Sequence, residues 1–183
     1  QYACSLAKYD WILSIDADEI LSVQLSNKIK SILQKNHTVD GYYLHRKFIF
    51  LGKVLNFTFR KEYVLRLFRK GKANFNNHKV HESVECKGTT SKIKEIMYHE
   101  SYRNISHMIE KENSYSQLYA SNRKIERFVM TQALIKSTYR FICHYFLYLG
   151  FLDGRRGYIM SIALAHGDYI KYLKCFYNYK SFK

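Results

Sequence analysis

Three acids, Asp16, Asp18 and Glu19, fall within four residues of a chain whose formal net charge is +15. They follow the apolar run Trp11-Ile12-Leu13-Ser14-Ile15. Two carboxylates one residue apart can share a hard cation with the phosphates of a ligand. Mg²⁺ takes only one or two protein carboxylates and completes its shell with phosphate and water, and Mn²⁺ also favours oxygen. The small Ala17 between them lets a ligand approach the backbone. An Asp-x-Asp is also common in solvated loops, so the pattern alone is weakly specific. Glu19 is either a third acid of the site or a charge that favours the N-terminus of the next helix.

Other residues could join them. His99, in IMYHES, follows a strand-like stretch and is either a metal ligand or a hydrogen-bonded core residue. His81 and Glu82, in NNHKVHESV, lie in a strand-and-turn region. Glu82 is the candidate general base, since such a base must face the attacking hydroxyl. Its plain alternative is an exposed strand residue paired with Lys79 or Lys87. Arg66, Arg69 and Lys70, in LRLFRKGK, form a basic strip that could hold donor phosphates or an acidic acceptor. The strip could equally protect a sheet edge. Dinucleotide, Walker A, zincin and nucleophile-elbow signatures are absent from the sequence.

The elements that must position these residues follow from periodicity. Residues 1–8 read as a helix end, and 9–15 as a short buried strand. Ser22 is a helix N-cap, with Leu25, Ile29, Ile32 and Leu33 following at helical spacing. The acids thus belong to a loop at the C-terminal end of a strand, the edge where open α/β sheets bind ligands. Strands are expected over 42–51 (ended by Gly52), 61–71, 78–86 and 91–101. A helix follows from 105 to about 124 with Met108, Lys111, Tyr115, Leu118 and Tyr119 on a mixed face. The segment 140–152 is almost wholly apolar and aromatic, yet shorter than the roughly 20 residues of a spanning helix. An interfacial or re-entrant amphipathic segment fits it, and a helix pair packed on its own domain is the alternative.

Composition narrows the partner class. The 183 residues suffice for a domain with a real core, and 47% hydrophobic against 25% charged residues excludes a disordered chain. Thirty Lys and Arg against 15 Asp and Glu call for nucleic acid, an anionic membrane surface or a phosphorylated ligand. Residues 101–183 hold 13 basic and 5 acidic residues, a net of +8 that suits an anionic leaflet. The four cysteines are scattered, without C-x-x-C spacing, which points to reduced cytoplasmic thiols.

Taken in order, DWILSIDADEILS, GYYLHRKFIFLGK, LRLFRKG, KVHE, YHESYRNISHMIEKENSYSQLYA and FLDGRRGY closely resemble family 2 glycosyltransferases of the lipopolysaccharide core type, the WaaE/KdtX-like β-glucosyltransferases. The resemblance covers nearly the whole chain. It implies the C-terminal part of a GT-A fold, a Rossmann-like α/β nucleotide-diphospho-sugar transferase, with an α-helical amphipathic tail. The division implied is 1–124 for the catalytic and acceptor half and 125–183 for a basic, membrane-associating tail. The activity implied is inverting, metal-dependent transfer of a sugar from a nucleotide-sugar donor to a lipid-linked glycan such as lipopolysaccharide core. In that scheme Asp16 and Asp18 bind the donor diphosphate, and Asp18 and His99 hold Mg²⁺ or Mn²⁺. Glu82 is the base, while Arg66, Arg69 and His81 contact acceptor or phosphate. The location implied is peripheral, on the inner face of the cytoplasmic membrane, with no part for nucleic acid. The family's opening strand and nucleotide-base motif are not matched, so the expectation is an N-terminally truncated chain, short by roughly 80 residues or two βα units, with little activity of its own. Two rival readings are a two-metal phosphotransferase or nuclease, which would gather more acids, and a non-catalytic basic module that binds membrane or nucleic acid.

Overall fold

The computed structural model describes residues 2–34, 38–76, 83–121 and 129–180. The chain divides into two compact units, Gln1–Lys47 with Lys61–His99, and Phe48–Arg60 with Glu100–Lys183. The boundary expected at 124 lies in the segment outside the described residues.

The first unit is built on a sheet. A short helix α1 (Tyr2–Ser5) precedes β1 (Trp11–Leu13), β2 (Glu19–Leu21) and helix α2 (Val23–Leu33). Strands β3 (Gly41–Phe50), β4 (Lys53–Val54), β5 (Glu62–Arg69), β6 (Ala73–Phe75), β7 (Val84–Cys86) and β8 (Thr90–Tyr102) follow, with β3 and β8 contributing residues to both units. The sheet order is β1-β5-β3-β8-β2, with β4 on β3, and β6 pairs with β7 separately. The pairs β1–β5, β2–β8, β3–β5 and β6–β7 are antiparallel.

Ser22 caps α2 as its position predicts: its hydroxyl accepts from the Leu25 N–H at 3.1 Å. Leu25, Ile29 and Ile32 fall on one helical face and pack against Leu44, Leu67, Ile93 and Met97. Leu33 lies off that face and is exposed. The opposite side of the sheet buries Leu65, Phe68, Ala73 and Val84. Leu65 and Leu67 are two apart, a spacing that normally keeps side chains on one face, yet they serve different clusters. The pairing explains this: Tyr42 opposes Leu67 and Tyr43 opposes Leu65, so Arg66 is the extra residue of a β-bulge. A bulge reverses the alternation and re-aims its side chain.

The expectation of a buried strand over 9–15 is corrected. Only Trp11–Leu13 is strand, it is the last in the sheet order, and Leu13 and Ile15 are exposed. An edge strand has a neighbour on one side only, so its apolar run is half covered. The acids are likewise not all on a loop, because Glu19 opens β2.

In the second unit, β3 turns into β4 through Leu51 and Gly52, both with positive φ, as a two-residue hairpin of the twisted I′ kind requires. Helix α3 (Ile105–Ser121) is capped by Asn104, whose side-chain oxygen accepts from the His107 N–H at 2.8 Å. Its buried residues are Met108, Ser116 and Ala120, while Tyr115 and Leu118 of the mixed face are exposed. Side chains tie this helix to α5: the Glu112 carboxylate lies against Gly167, and Lys174 Nζ donates to the Ser116 hydroxyl at 2.8 Å. Helix α4 (Val129–Ile142) runs into a π-helical turn, Cys143–Leu147, then a 3-10 turn, Gly150–Asp153, then α5 (Gly154–Lys180). Phe50, Leu55, Met108 and Met160 form this unit's core. The apolar segment 140–152 thus runs from the end of α4 through the π-helical and 3-10 turns, and no described helix is long and apolar enough to cross a membrane. Among the described residues no disulfide joins the four cysteines.

Candidate functional site

Residues 16–19 form a tight turn. The Glu19 N–H donates to the Asp16 carbonyl at 3.0 Å, and the Asp16 N–H donates back to Glu19 Oε2 at 3.1 Å. The turn is thus closed once by backbone and once by a side chain. Glu19 is neither a helix-end charge nor an open site acid. Its side chain is fully buried and accepts from Arg66 Nη2 at 2.7 Å and from Arg46 Nη1 at 3.4 Å.

The bulge delivers Arg66 to this position, where the same guanidinium also pairs with Asp16. Its Nε is buried and has no hydrogen-bond partner among the described residues. Arg46 lies opposite Glu62 in the β3–β5 register and grips it at 2.8 and 3.0 Å. Burial works against the Arg46 cation, but its bonds to Glu62 and Glu19 outweigh that and raise its pKa. Arg46 and Glu62 are site residues that a linear reading passes over. Their signal was the pairing of HRK with KEY, visible only once the strand register is known.

Strand β2 opposes β8 so that Glu19 faces His99. That register brings His99 Nε2 to 3.1 Å from Asp18 Oδ2, across 81 residues of sequence. The Asp18 side chain is 38% exposed, so this carboxylate reaches solvent while Glu19 does not. Two acids of one triplet therefore differ in kind. Asp16 is neutralised by Arg66, and Asp18 stands beside an imidazole.

The donor set can be compared with a divalent cation. Among the described residues no cluster of three His, Cys, Asp or Glu is placed to hold a metal. One carboxylate and one imidazole give two donors, which suffices for a cation that keeps waters and ligand phosphates in its shell. The pair fits such an ion as part of a shell completed by a phosphorylated ligand.

The remaining candidates divide. The basic strip separates in three directions. Arg66 turns to the acids, the Arg69 guanidinium lies 5.4 Å over the Trp11 ring, and Lys70 Nζ donates to the carbonyls of Ser5 and Ala7. His81 and Glu82 lie outside the described residues.

No family model matches the chain. It is 28% identical over 193 aligned residues to an uncharacterized glycosyltransferase of Rickettsia conorii, covering 94% of this chain and 66% of that protein. The same identity and coverage hold for an uncharacterized glycosyltransferase of Rickettsia felis. A third, from Rickettsia typhi, is 27% identical over 94% of this chain and 64% of its own length. The chain thus spans just under two thirds of the length of the curated relatives it matches. These similarities support a glycosyltransferase and do not reach the lipopolysaccharide-core type that the motifs suggest. The mixed α/β architecture is consistent with a GT-A-like fold.

Proposed function

We propose that this chain is part of an inverting glycosyltransferase that moves a sugar from a nucleotide-sugar donor to a hydroxyl of a lipid-linked glycan, such as lipopolysaccharide core, at the inner face of the cytoplasmic membrane. The observation that carries the reading is the Asp18–His99 contact at 3.1 Å, an exposed carboxylate and an imidazole drawn together from distant sequence. The similarity to proteins named glycosyltransferases supports the same class.

In this reading Asp18 and His99 would hold Mg²⁺ or Mn²⁺, which would supply positive charge toward the diphosphate. Asp16 sets the turn and keeps Arg66 beside it. The Arg66 guanidinium beside Asp16 supplies positive charge toward a phosphate. Glu82 takes the proton of the acceptor hydroxyl as that oxygen attacks the anomeric carbon from the face opposite the leaving group. One displacement inverts the configuration. Arg69 and His81 are assigned to acceptor or phosphate contact.

The test uses the whole natural protein that carries these residues. It is incubated with a panel of nucleotide sugars and a lipid-linked acceptor extract, with Mn²⁺, with Mg²⁺ and after chelation. Transfer should vanish on chelation and fall at least about a hundredfold in Asp18→Asn, in line with losing one electrostatic contact to the leaving group. Free Mn²⁺ measured by electron paramagnetic resonance should rise in both Asp18→Asn and His99→Ala. Full transfer after chelation, or unchanged Mn²⁺ binding in both variants, would sink the metal assignment.

A further inference from the structure

The segment joining α4 to α5 carries apolar side chains that face solvent. Phe146, Leu147, Leu149, Phe151 and Leu152 are all exposed, Leu147 at 65% and Leu152 at 54%. Phe57, on the loop after β4, is exposed as well. A run of this kind on a loop would ordinarily collapse inward, because apolar burial is worth about 25 cal/mol per Å². Here the backbone is held out.

Three devices hold it. Asp153 accepts the N–H groups of Asn56, Phe57 and Thr58 at 2.9, 3.0 and 2.8 Å and the Thr58 hydroxyl at 2.7 Å. His144 Nδ1 lies 2.8 Å from the Thr58 carbonyl, so both ends of the turn grip the 56–58 loop. Gly150 and Gly157 permit a backbone approach that leaves no space for a side chain: a Cβ on Gly157 would strike the Gly150 carbonyl. Around this frame the rings of Phe141, Tyr145, Phe151 and Tyr158 contact one another edge-on or stacked, fixing the aromatic positions. Leu149 holds a left-handed backbone, φ +61°, which a leucine adopts only where its surroundings impose it.

Charge selects the partner. From 129 to 168 the sequence has two acids, Asp153 and Asp168, against Lys136, Arg140, Arg155 and Arg156, and Asp168 is taken up by Arg140 at 2.8 Å, which leaves Lys136, Arg155 and Arg156 as the basic residues of this stretch that no acid of it neutralises. Asp153 is engaged by the four bonds above, so its charge is directed into the fold. Arg155 and Lys136 are exposed, and so is Arg60, whose guanidinium lies 5.4 Å over the Tyr148 ring. Two copies of such a surface would set like charges against each other. A basic rim around rigid leucines and aromatics matches an anionic bilayer, where apolar side chains enter the headgroup boundary and arginines remain with the phosphates.

We infer that the turn of residues 146–155, with Phe57, Arg60 and Arg155, is a membrane-seating surface that inserts its leucines and phenylalanines into the interface of an anionic lipid bilayer. This deepens the lipid-linked-acceptor reading by naming the residues that meet the lipid. It stands on the surface itself, and its test needs no nucleotide sugar, so failure of either reading leaves the other standing.

The experiment uses the whole natural protein with vesicles of phosphatidylcholine, with or without about a third phosphatidylglycerol. Leu152→Trp in a Trp11→Phe background places one fluorophore on the turn. Its emission should shift to the blue with the anionic vesicles and be quenched by lipids brominated high on the acyl chain. Tyr9→Trp in the same background is the control and should not respond. In sedimentation, Leu147→Ser with Leu152→Ser should weaken vesicle binding at least about tenfold, and Arg155→Gln about fivefold. Both leucines are exposed, so unchanged circular dichroism is expected and separates lost binding from lost fold. Absence of vesicle binding overturns the inference, as does binding that the leucine pair does not affect. Self-association or binding of single-stranded nucleic acid that shifts the emission of the Leu152→Trp variant, with vesicles inert, also overturns it.

Discussion

Glu19 is the residue on which the 16–19 turn depends, and replacing it with glutamine tests that directly. The substitution keeps the volume and removes the charge, so a fully buried carboxylate that serves two guanidinium groups and one N–H becomes a neutral amide. The 2.7 Å bond to Arg66 is charge-assisted and worth about 1.5–3 kcal/mol. The 3.4 Å contact with Arg46 adds little at that length. Breaking a buried pair by removing one partner costs about 3–5 kcal/mol when the other charge is stranded. Neither arginine is stranded here, since Arg46 keeps Glu62 and Arg66 keeps Asp16. The expected loss is therefore about 2–3 kcal/mol. Trp11 is the chain's one tryptophan and packs at the edge of the first unit's core, so its fluorescence reports that unit. With a urea slope of about 1–1.5 kcal/mol per M, the midpoint should fall by about 2 M. Asp16→Asn is the control: its side chain is 56% exposed, and losing an exposed pair should cost about 0–1 kcal/mol. A loss below about 1 kcal/mol in Glu19→Gln, or an equal loss in Asp16→Asn, would refute the view that the buried acid organises the turn.

The second unit gives two further expectations. Burial opposes ionisation of Asp153, yet its hydrogen bonds from Thr58, Asn56 and Phe57 prevail and lower its pKa, while burial lowers that of His144 against the pull of the Thr58 carbonyl. Both groups bind fewer protons folded than unfolded, so their stabilisation is present above the unfolded pKa and is lost as pH falls. Helical melting temperatures should drop first below about pH 6.5 and again below about pH 4, a second step to which Asp168, also held low, against burial, by Arg140 and Lys171, contributes, so Asp153→Ala should shrink that step and cost about 1–2 kcal/mol. Gly157→Ala should destabilise the α4–α5 pair by about 1–3 kcal/mol, because the added Cβ meets backbone and not a flexible side chain. Chemical unfolding followed by helical circular dichroism measures this, and a neutral Gly157→Ala would show that the turn can relax.

Elements with strong local signals were legible in the sequence. Ser22 and the leucine and isoleucines spaced after it marked α2, and the alternating, aromatic stretches marked β3, β5 and β8. The mixed face read for α3 holds Met108, which is buried, but spacing alone does not separate it from Tyr115 and Leu118, which are exposed. Arg66 could be picked out as basic, though not as the bulge residue, because a bulge is set by the pairing partner and leaves no mark on the strand itself. The Asp18–His99 pairing was reached through the resemblance, since the local reading left His99 open between ligand and core residue. Glu19 was misjudged because its partners, Arg46 and Arg66, reach it only through the sheet register.

The β2–β8 pairing also dictates when the site can exist. Asp18 and His99 meet only after a loop of 81 residues has closed. Closure entropy grows with the logarithm of loop length, and contacts so distant in sequence form late in folding. Helix α2, the Leu51–Gly52 hairpin and the β3–β5 pair can all form with their neighbours in sequence, without β8. A chain stalled there would have much of its secondary structure and none of its candidate site. The carboxylate of Asp18 and the imidazole of His99 thus come together only once β2 has paired with β8.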